Sequence, residues 1–202
     1  MAMGRPRKVD PDVVLEKALL LFREKGYEAT SMSDLVAATG LHKGSLYQSF
    51  GDKHTLFKTA LEIYTRRTFE SMSAESRRAD TATEGLQRAL NCMLAIAAEG
   101  SAGSLGCMAV NAMVEFAERD ADVRALLQAT DQKIVALIME LSQRAVEEEG
   151  AHLVQPMEMT AMMLMSVMAG LGVTLKGMIT LEQAQQVVKN QLSVLGFNKD
   201  LL

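Results

Sequence analysis

The feature that most constrains this chain is a helix-turn-helix pattern in its first quarter. Ser31 and Asp34 stand at a predicted helix start, because a serine oxygen can accept from free N–H groups there and a carboxylate favours the positive end of the helix dipole. Gly40 follows the apolar residues of this short helix, where a left-handed residue ends a helix. A second short helix follows, with Leu46 and Phe50 four residues apart on one face.

The opposite face of the second helix carries hydrogen-bond donors, one cation and one aromatic ring. These residues are Lys43, Ser45, Tyr47, Gln48 and Ser49. A helix with such a face can lie in the major groove of DNA. Spacing alone leaves open an alternative, an ordinary helical hairpin whose polar residues face solvent.

The residue identities around this pattern resemble the DNA-binding domain of the tetracycline-repressor (TetR) family. The resemblance covers about residues 5–66 and rests on Ala29-Thr30-Ser31, Asp34-Leu35, Gly40, the run from Lys43 to Phe50, Lys53-His54-Thr55-Leu56-Phe57, and the preceding helix from Ala18 to Tyr27. It implies an all-α fold, with an N-terminal three-helix helix-turn-helix head and an all-helical C-terminal ligand-binding and dimerisation domain.

Two groups of residues are expected to contact DNA. In the head they are Thr30, Ser31, His42, Lys43, Gly44, Ser45, Tyr47, Gln48 and Lys53. Lys53 and Thr30 are expected on phosphate. The second group is Arg5 and Arg7, in a basic arm that can follow the DNA backbone or enter a minor groove. A solvated terminus is the alternative for this arm.

Charge is distributed unevenly along the chain. The net charge of −4 would ordinarily argue against a nucleic-acid partner. Residues 1–68, however, hold 11 Lys and Arg against 8 Asp and Glu, whereas the remainder holds 10 against 17. A basic head on an acidic body is the asymmetry expected of a nucleic-acid-binding protein.

The pattern of helix starts and breaks predicts four segments. Asp10-Pro11 begins the first helix, and a polar stretch at residues 76–83 separates a long helix from the body. The segments are a basic arm at 1–8, a helix-turn-helix domain at 9–55, a linker helix at 56–75, and an effector-binding and dimerisation domain at 76–202. The last two helices are predicted at about 157–177 and 181–195, and the resemblance implies that they form a homodimer interface.

Five body residues are the predicted effector or redox positions: Cys107, Asn111, Glu115, Met93 and Met163. The Gly-Cys motif at Cys107 is similar to one in a TetR branch where it opens a helix lining the effector-binding core, and that branch includes sensors of electrophiles and oxidants. A small buried hydrophobic side chain is the alternative for Cys107.

The other four positions also have ordinary structural interpretations. Asn111 and Glu115 share a helix face, so they need partners or a ligand in an apolar environment. A structural hydrogen-bonded pair is the alternative. The methionines form either plain core and interface or a pliable pocket wall. Cys92, in mid-helix, is expected to be inert.

Several classes of protein are excluded by what the sequence lacks. The two cysteines form neither a disulfide framework nor metal-ligand spacing, which fits a reducing cytosol. A Gly-rich phosphate loop, an H-E-x-x-H motif and a nucleophile elbow are all missing, so no enzyme, metal or cofactor is predicted. Residues 157–178 are apolar but interrupted by polar residues and glycines, which predicts a buried or interface helix rather than a membrane span.

The sequence therefore predicts a cytoplasmic, homodimeric transcriptional regulator, most simply a repressor. A small-molecule or electrophile or oxidant effector would release it from palindromic double-stranded operator DNA. The alternative is a thiol-based redox or small-molecule-binding protein with a vestigial head. Salt-dependent binding to its own promoter region would favour the first reading, and peroxide turnover without DNA binding the second.

Overall fold

The computed structural model describes residues 10–100, 106–116 and 118–197. Nine α-helices and no strand occur among these residues, which confirms the predicted all-α class. They are α1 (Pro11–Lys25), α2 (Met32–Thr39), α3 (Lys43–Phe50), α4 (Lys53–Ser76), α5 (Ala82–Ala98), α6 (Met108–Phe116), α7 (Ala121–Glu149), α8 (Met157–Thr174) and α9 (Leu181–Val194). The chain divides into two units between Tyr64 and Thr65, inside the segment predicted as a linker helix.

The first unit, here called the head, packs around an aromatic cluster. Phe22 of α1 and Phe57 of α4 are each about 2% exposed or less, and their ring centroids lie 5.1 Å apart in an edge-on arrangement. Tyr27, after α1, places its ring centroid 5.1 Å from that of Phe57. Leu35 of α2 and Leu46 of α3 are buried as well. Each short helix of the head therefore has a fixed inward face.

The second unit, here called the body, is built around α5. This helix packs against α7, α8 and α9, and it buries Leu86, Leu90 and Leu94. Its first turn is held by the Glu149 carboxylate at the end of α7, which accepts from the amide of Ala82 and, at 3.2 Å, from the amide of Thr83. The segment after α9 is bound to the loop after α7, because the amide of His152 donates to the carbonyl of Gly196 at 3.0 Å.

Helices α8 and α9 each have one buried and one exposed apolar side. On α8, Leu164 and Met168 are buried, whereas Met162 is 60% exposed. On α9, Leu192 is buried and Val194 is 62% exposed. Helix α8 is also long and apolar enough to cross a membrane, by length and composition alone. In the fold it packs against α5, α6 and α7, as a core helix does.

Candidate functional site

The turn between α2 and α3 is fixed by local chemistry at both ends of α2. The Ser31 hydroxyl accepts from the amide of Asp34 at 3.1 Å, and the Asp34 carboxylate accepts from the amide of Ser31 at 2.8 Å. This reciprocal capping box satisfies free donors at the helix start. Gly40 ends α2 with φ of 74°, a left-handed conformation that favours glycine. The predicted start and end of α2 are thus confirmed.

Helix α3 turns most of its side chains away from the head. Only Leu46 is buried, whereas His42, Lys43, Gly44, Ser45, Tyr47, Gln48 and Ser49 are exposed. The Lys43 ammonium lies 5.8 Å from the centroid of the Tyr47 ring, which is 43% exposed. His42 precedes the helix and makes no side-chain capping hydrogen bond, and the first turn carries no acid. The face is polar, cationic at one end and open.

Lys53, at the start of α4, is bound to the loop before α2. Its ammonium donates to the carbonyl of Thr30 at 2.6 Å and lies 4.0 Å from the centroid of the Tyr27 ring. The Thr30 side chain is fully buried, and its hydroxyl donates to the carbonyl of Gly26 at 2.6 Å. The expected phosphate contact by the Thr30 side chain is therefore not available in this conformation. Arg5 and Arg7 lie outside the described residues.

The capping carboxylate of Asp34 is the most strongly perturbed acid in this region. The Lys25 ammonium, 2.8 Å away, and the Ser31 hydroxyl hold the pKa of this carboxyl well below its usual range. Because the pKa of Asp34 is lower in the folded state, its carboxylate stabilises the folded protein at pH values above its unfolded-state pKa, near 3.9. This stabilisation is lost as the pH falls from there toward the folded-state pKa.

Asp34→Asn is therefore expected to lower the midpoint of thermal unfolding at neutral pH. The difference from the parent should shrink as the pH falls below about 4. Thermal unfolding followed by circular dichroism across a pH series measures it. Glu28→Gln, at an exposed residue of the head, is the matched charge change and should leave the midpoint nearly unchanged. If the difference in unfolding midpoint between Asp34→Asn and the parent stayed constant down to acidic pH, the ionised Asp34 carboxylate would not be the source of the stabilisation.

The Gly-Cys motif forms a tight junction with α8. Gly106 has φ of 74°, and a Cβ added there would overlap the far end of the Lys176 side chain. Cys107 is buried, and a Cβ at Gly172 would lie 3.1 Å from its Cβ. The left-handed backbone favours glycine at Gly106, and the short distance at Gly172 shows that α8 approaches Cys107 closely.

Lys176 also supplies a partner for one predicted effector residue. Its ammonium donates to Oδ1 of Asn111 at 2.9 Å. Asn111 lies one helical turn after Cys107, and its amide donates to the carbonyl of Cys107. The Nδ2 atom of Asn111 is buried and has no partner. Sequence reasoning missed Lys176 because it lies 65 residues from Asn111.

The remaining predicted effector residues lie on three different helices. Glu115 on α6, Met93 on α5 and Met163 on α8 are all partly buried. Two cavities of the body are lined by residues other than these. One, of about 580 Å³, runs along α7 beside Asp131, and one, of about 360 Å³, lies beside Arg88, Asn91 and Cys92. In the described residues, no group of three or more His, Cys, Asp or Glu side chains is placed to hold a metal ion.

The head is similar in sequence to known bacterial transcriptional regulators. Residues 14–60 match the model for bacterial regulatory proteins of the tetR family. The chain is 48% identical over 64 residues to the HTH-type transcriptional repressor ComR of Escherichia coli strain K12. It is 42% identical over 62 residues to the HTH-type transcriptional regulator YezE of Bacillus subtilis strain 168. These matches cover 32% and 31% of this chain and 30% and 32% of the relatives, so they span about a third of each relative.

Solved structures resemble nearly the whole chain. A cysteine-substituted form of the transcriptional regulator CifR, complexed with 26-bp double-strand operator DNA, has a TM-score of 0.80 and 28% identity, covering 95% of this chain and 100% of that one. The reduced form of E. coli NemR has a TM-score of 0.73 and 18% identity, covering 89% and 94% of the two chains. At 18% identity, the similarity to NemR is a similarity of fold alone.

Proposed function

We propose that this chain is a TetR-family transcriptional regulator, a DNA-binding repressor that reads its operator with α3. Its relatives are regulators rather than enzymes. The observation that carries the proposal is the outer face of α3. Leu46 alone anchors this helix in the head, and the exposed donors and Tyr47 face outward. Side chains of these types hydrogen-bond to base edges and phosphates in a major groove.

The repressor is proposed to work in the cytoplasm as a homodimer on palindromic DNA. Support for a dimer comes from the exposed apolar sides of α8 and α9, since Met162 and Val194 are 60% and 62% exposed. A two-fold dimer presents two reading helices, which meet half-sites about one helical turn, or a multiple of it, apart. Effector binding in the body is proposed to change that separation and so weaken both contacts.

The direct test is a footprint on the DNA that flanks the coding region of this protein. The expected result is a protected palindrome whose half-site centres lie about 10 base pairs, or a multiple, apart. Its affinity should fall steeply with salt, because cationic side chains displace condensed counterions. Protection that ignores sequence, or no protection at low salt, would contradict the proposal. Peroxide turnover without DNA binding would favour the thiol-based alternative.

Replacement of Lys43 by glutamine is expected to reduce the salt dependence of operator binding. The slope of log affinity against log salt should fall by about one for each subunit, because one phosphate neutralisation is lost per half-site. Titrations at several salt concentrations measure this slope. Lys17→Gln, at an exposed residue of α1, removes the same charge elsewhere on the head and should leave the slope unchanged. Equal slopes for Lys43→Gln and the parent would place Lys43 away from DNA.

The effector is proposed to act at the Cys107 turn. Cys107 follows Gly106 just before α6, and the Lys176 ammonium is bound to Asn111, whose amide donates to the carbonyl of Cys107. The sulfur would attack an unsaturated aldehyde at its β carbon, and the thiol proton would end on the α carbon. With a quinone the sulfur would add to a ring carbon, and the thiol proton and the hydrogen of that carbon would end on the two oxygens, which gives a hydroquinone thioether. The enlarged side chain cannot keep the close contact with Gly172. Adduct formation would thus displace α8.

Cys107→Ser is expected to abolish the loss of operator binding that an electrophile causes in the parent. Cys92→Ser should respond like the parent, because burial and the nearby Glu75 and Glu99 carboxylates raise the pKa of the Cys92 thiol and so disfavour its thiolate. Operator titrations before and after a mild quinone treatment measure the response. If Cys107→Ser loses operator binding as the parent does, the thiol is structural and the effector binds without a covalent bond.

A further inference from the structure

A cavity of about 580 Å³ runs along the middle of α7 in the body. The described residues that line it all belong to this helix: Gln128, Asp131, Gln132, Val135, Ala136 and Met139. Because they recur every three or four positions, they form one stripe on a single side of the helix. The volume is in the range of sites that hold small molecules, about 300–1,000 Å³. None of the described lining residues is an effector position predicted from the sequence.

Asp131 is the one ionisable residue among the described residues that line this cavity. Its side chain is half-buried, and within the described part of the chain neither carboxylate oxygen has a hydrogen-bond or ion-pair partner. Both oxygens keep accessible surface, and the residue lines the cavity, so a ligand there can reach them. Carboxylates that leave water in a folded protein are ordinarily paired.

The electrostatic environment of Asp131 favours a positively charged partner. Burial raises the pKa of the Asp131 carboxyl, and no cation among the described residues opposes this shift. A carboxylate that loses water without gaining a partner is destabilised in its ionised form. A ligand that brings a positive charge would restore this stabilisation, whereas an anion would be repelled and a neutral molecule would leave the charge unpaired.

The stripe has a polar end and an apolar end. Gln128 and Gln132 flank Asp131, and in the described residues no hydrogen bond engages either side-chain amide. Their amide oxygens can accept from N–H groups. Val135 and Met139 lie one and two turns further along, and both are half-buried. From Asp131 to Met139 the helix rises about 12 Å, which is the length available to an apolar chain.

We propose that this cavity binds an amphiphilic organic cation, a primary ammonium group on an unbranched apolar chain. The ammonium would pair with the Asp131 carboxylate and donate its other protons to the amide oxygens of Gln128 and Gln132. The chain would lie over Val135 and Met139 and bury its methylene groups there. This site lies in the body, and binding to it is measured without DNA, so the result does not depend on the proposed repressor function.

Isothermal titration calorimetry of the full-length chain at neutral pH tests the class of ligand. The probes are hexylammonium, hexanoate and hexanol, which have the same chain length and differ in the charge of the head group. Hexylammonium is expected to bind in a saturable way, and the other two should bind about tenfold or more weakly, because they cannot form the ion pair. Propylammonium should also bind about tenfold or more weakly, because it buries fewer methylene groups.

Asp131→Asn tests the ion pair, since it removes the charge with little change of volume. Hexylammonium binding is expected to weaken about tenfold or more, because a charge-assisted hydrogen bond is lost. Glu140→Gln removes the same charge from an exposed residue of α7 outside the described cavity wall and should bind as the parent does. Hexylammonium should raise the midpoint of thermal unfolding of the parent and of Glu140→Gln but not of Asp131→Asn. The midpoints without ligand establish that both variants are folded.

Four outcomes overturn the proposal. In the first, hexylammonium does not bind, so that water or a proton satisfies Asp131. In the second, hexanol or hexanoate binds as tightly as hexylammonium, so that the charge of the head group is not recognised. In the third, propylammonium binds as tightly, so that the chain lies outside the cavity. In the fourth, Asp131→Asn and Glu140→Gln bind hexylammonium equally, so that Asp131 is not its partner. Selective binding of hexylammonium, lost in Asp131→Asn and kept in Glu140→Gln, supports it.

Discussion

Replacement of Tyr47 by alanine is expected to lower the operator affinity of the dimer about thirtyfold or more, because each of two half-sites loses on the order of 1 kcal/mol. The Tyr47 ring is 43% exposed, and the Lys43 ammonium lies 5.8 Å from its centroid, so removing the ring also removes a support for the cation. Binding to unrelated DNA should change little, because phosphate contacts supply most of that affinity. Fluorescence anisotropy with operator and with scrambled DNA measures both.

Val13→Ala is the matched control for the Tyr47 substitution. Val13 is 46% exposed on α1 of the same unit, so its truncation removes a similarly exposed side chain from a helix not assigned to DNA. It should retain full operator affinity. Tyr47→Phe separates the ring from its hydroxyl. If Tyr47→Ala binds the operator as tightly as Val13→Ala does, then α3 is not the reading helix.

A glutamate in place of Met162 is expected to convert the dimer to a monomer and to lower operator affinity about a hundredfold, because linked half-site binding gains at least that factor from effective concentration. In a two-fold interface the new carboxylate is introduced twice and is buried without a partner. The side chain is 60% exposed in the single chain, so the fold of the body should survive. Sedimentation velocity, operator titration and thermal unfolding measure the three properties.

Val114→Glu controls for the addition of charge to an exposed apolar position. Val114 is 81% exposed on α6, which has no part in the proposed interface. This variant should remain dimeric and bind the operator normally. A dimeric Met162→Glu protein with unchanged operator binding would place the subunit interface elsewhere on the body.

The features that sequence reasoning located correctly depend on near neighbours. Ser31 caps α2 through an amide three residues away, and Asp10 caps α1 through the amide of Asp12. Such contacts are specified by spacing, so one sequence suffices to predict them. The inward position of Leu46 on α3 follows from helical periodicity in the same way.

What the sequence did not disclose depends on distant residues or on burial. Glu149 caps the first turn of α5 from 66 residues away, and nothing near either residue signals the contact. Thr30 is a residue type that often contacts DNA phosphates, yet in the packed head its hydroxyl donates to the carbonyl of Gly26. Arg88 and Asn91 are ordinary polar residues of an amphipathic helix, and only the packed structure distinguishes the atoms that lack a partner.

The uncapped start of α3 has a consequence for how the operator is discriminated. The helices α2, α5, α7 and α9 each begin with a side chain that accepts a backbone amide, whereas α3 does not. Amide donors left at a helix start are matched by phosphate oxygens. In the proposed complex, phosphate oxygens would replace the water on the exposed amides at the start of α3. A sequence that places its phosphates elsewhere would leave these amides on water, so in the proposed complex the start of α3 and its base-reading face would favour the same alignment on the DNA.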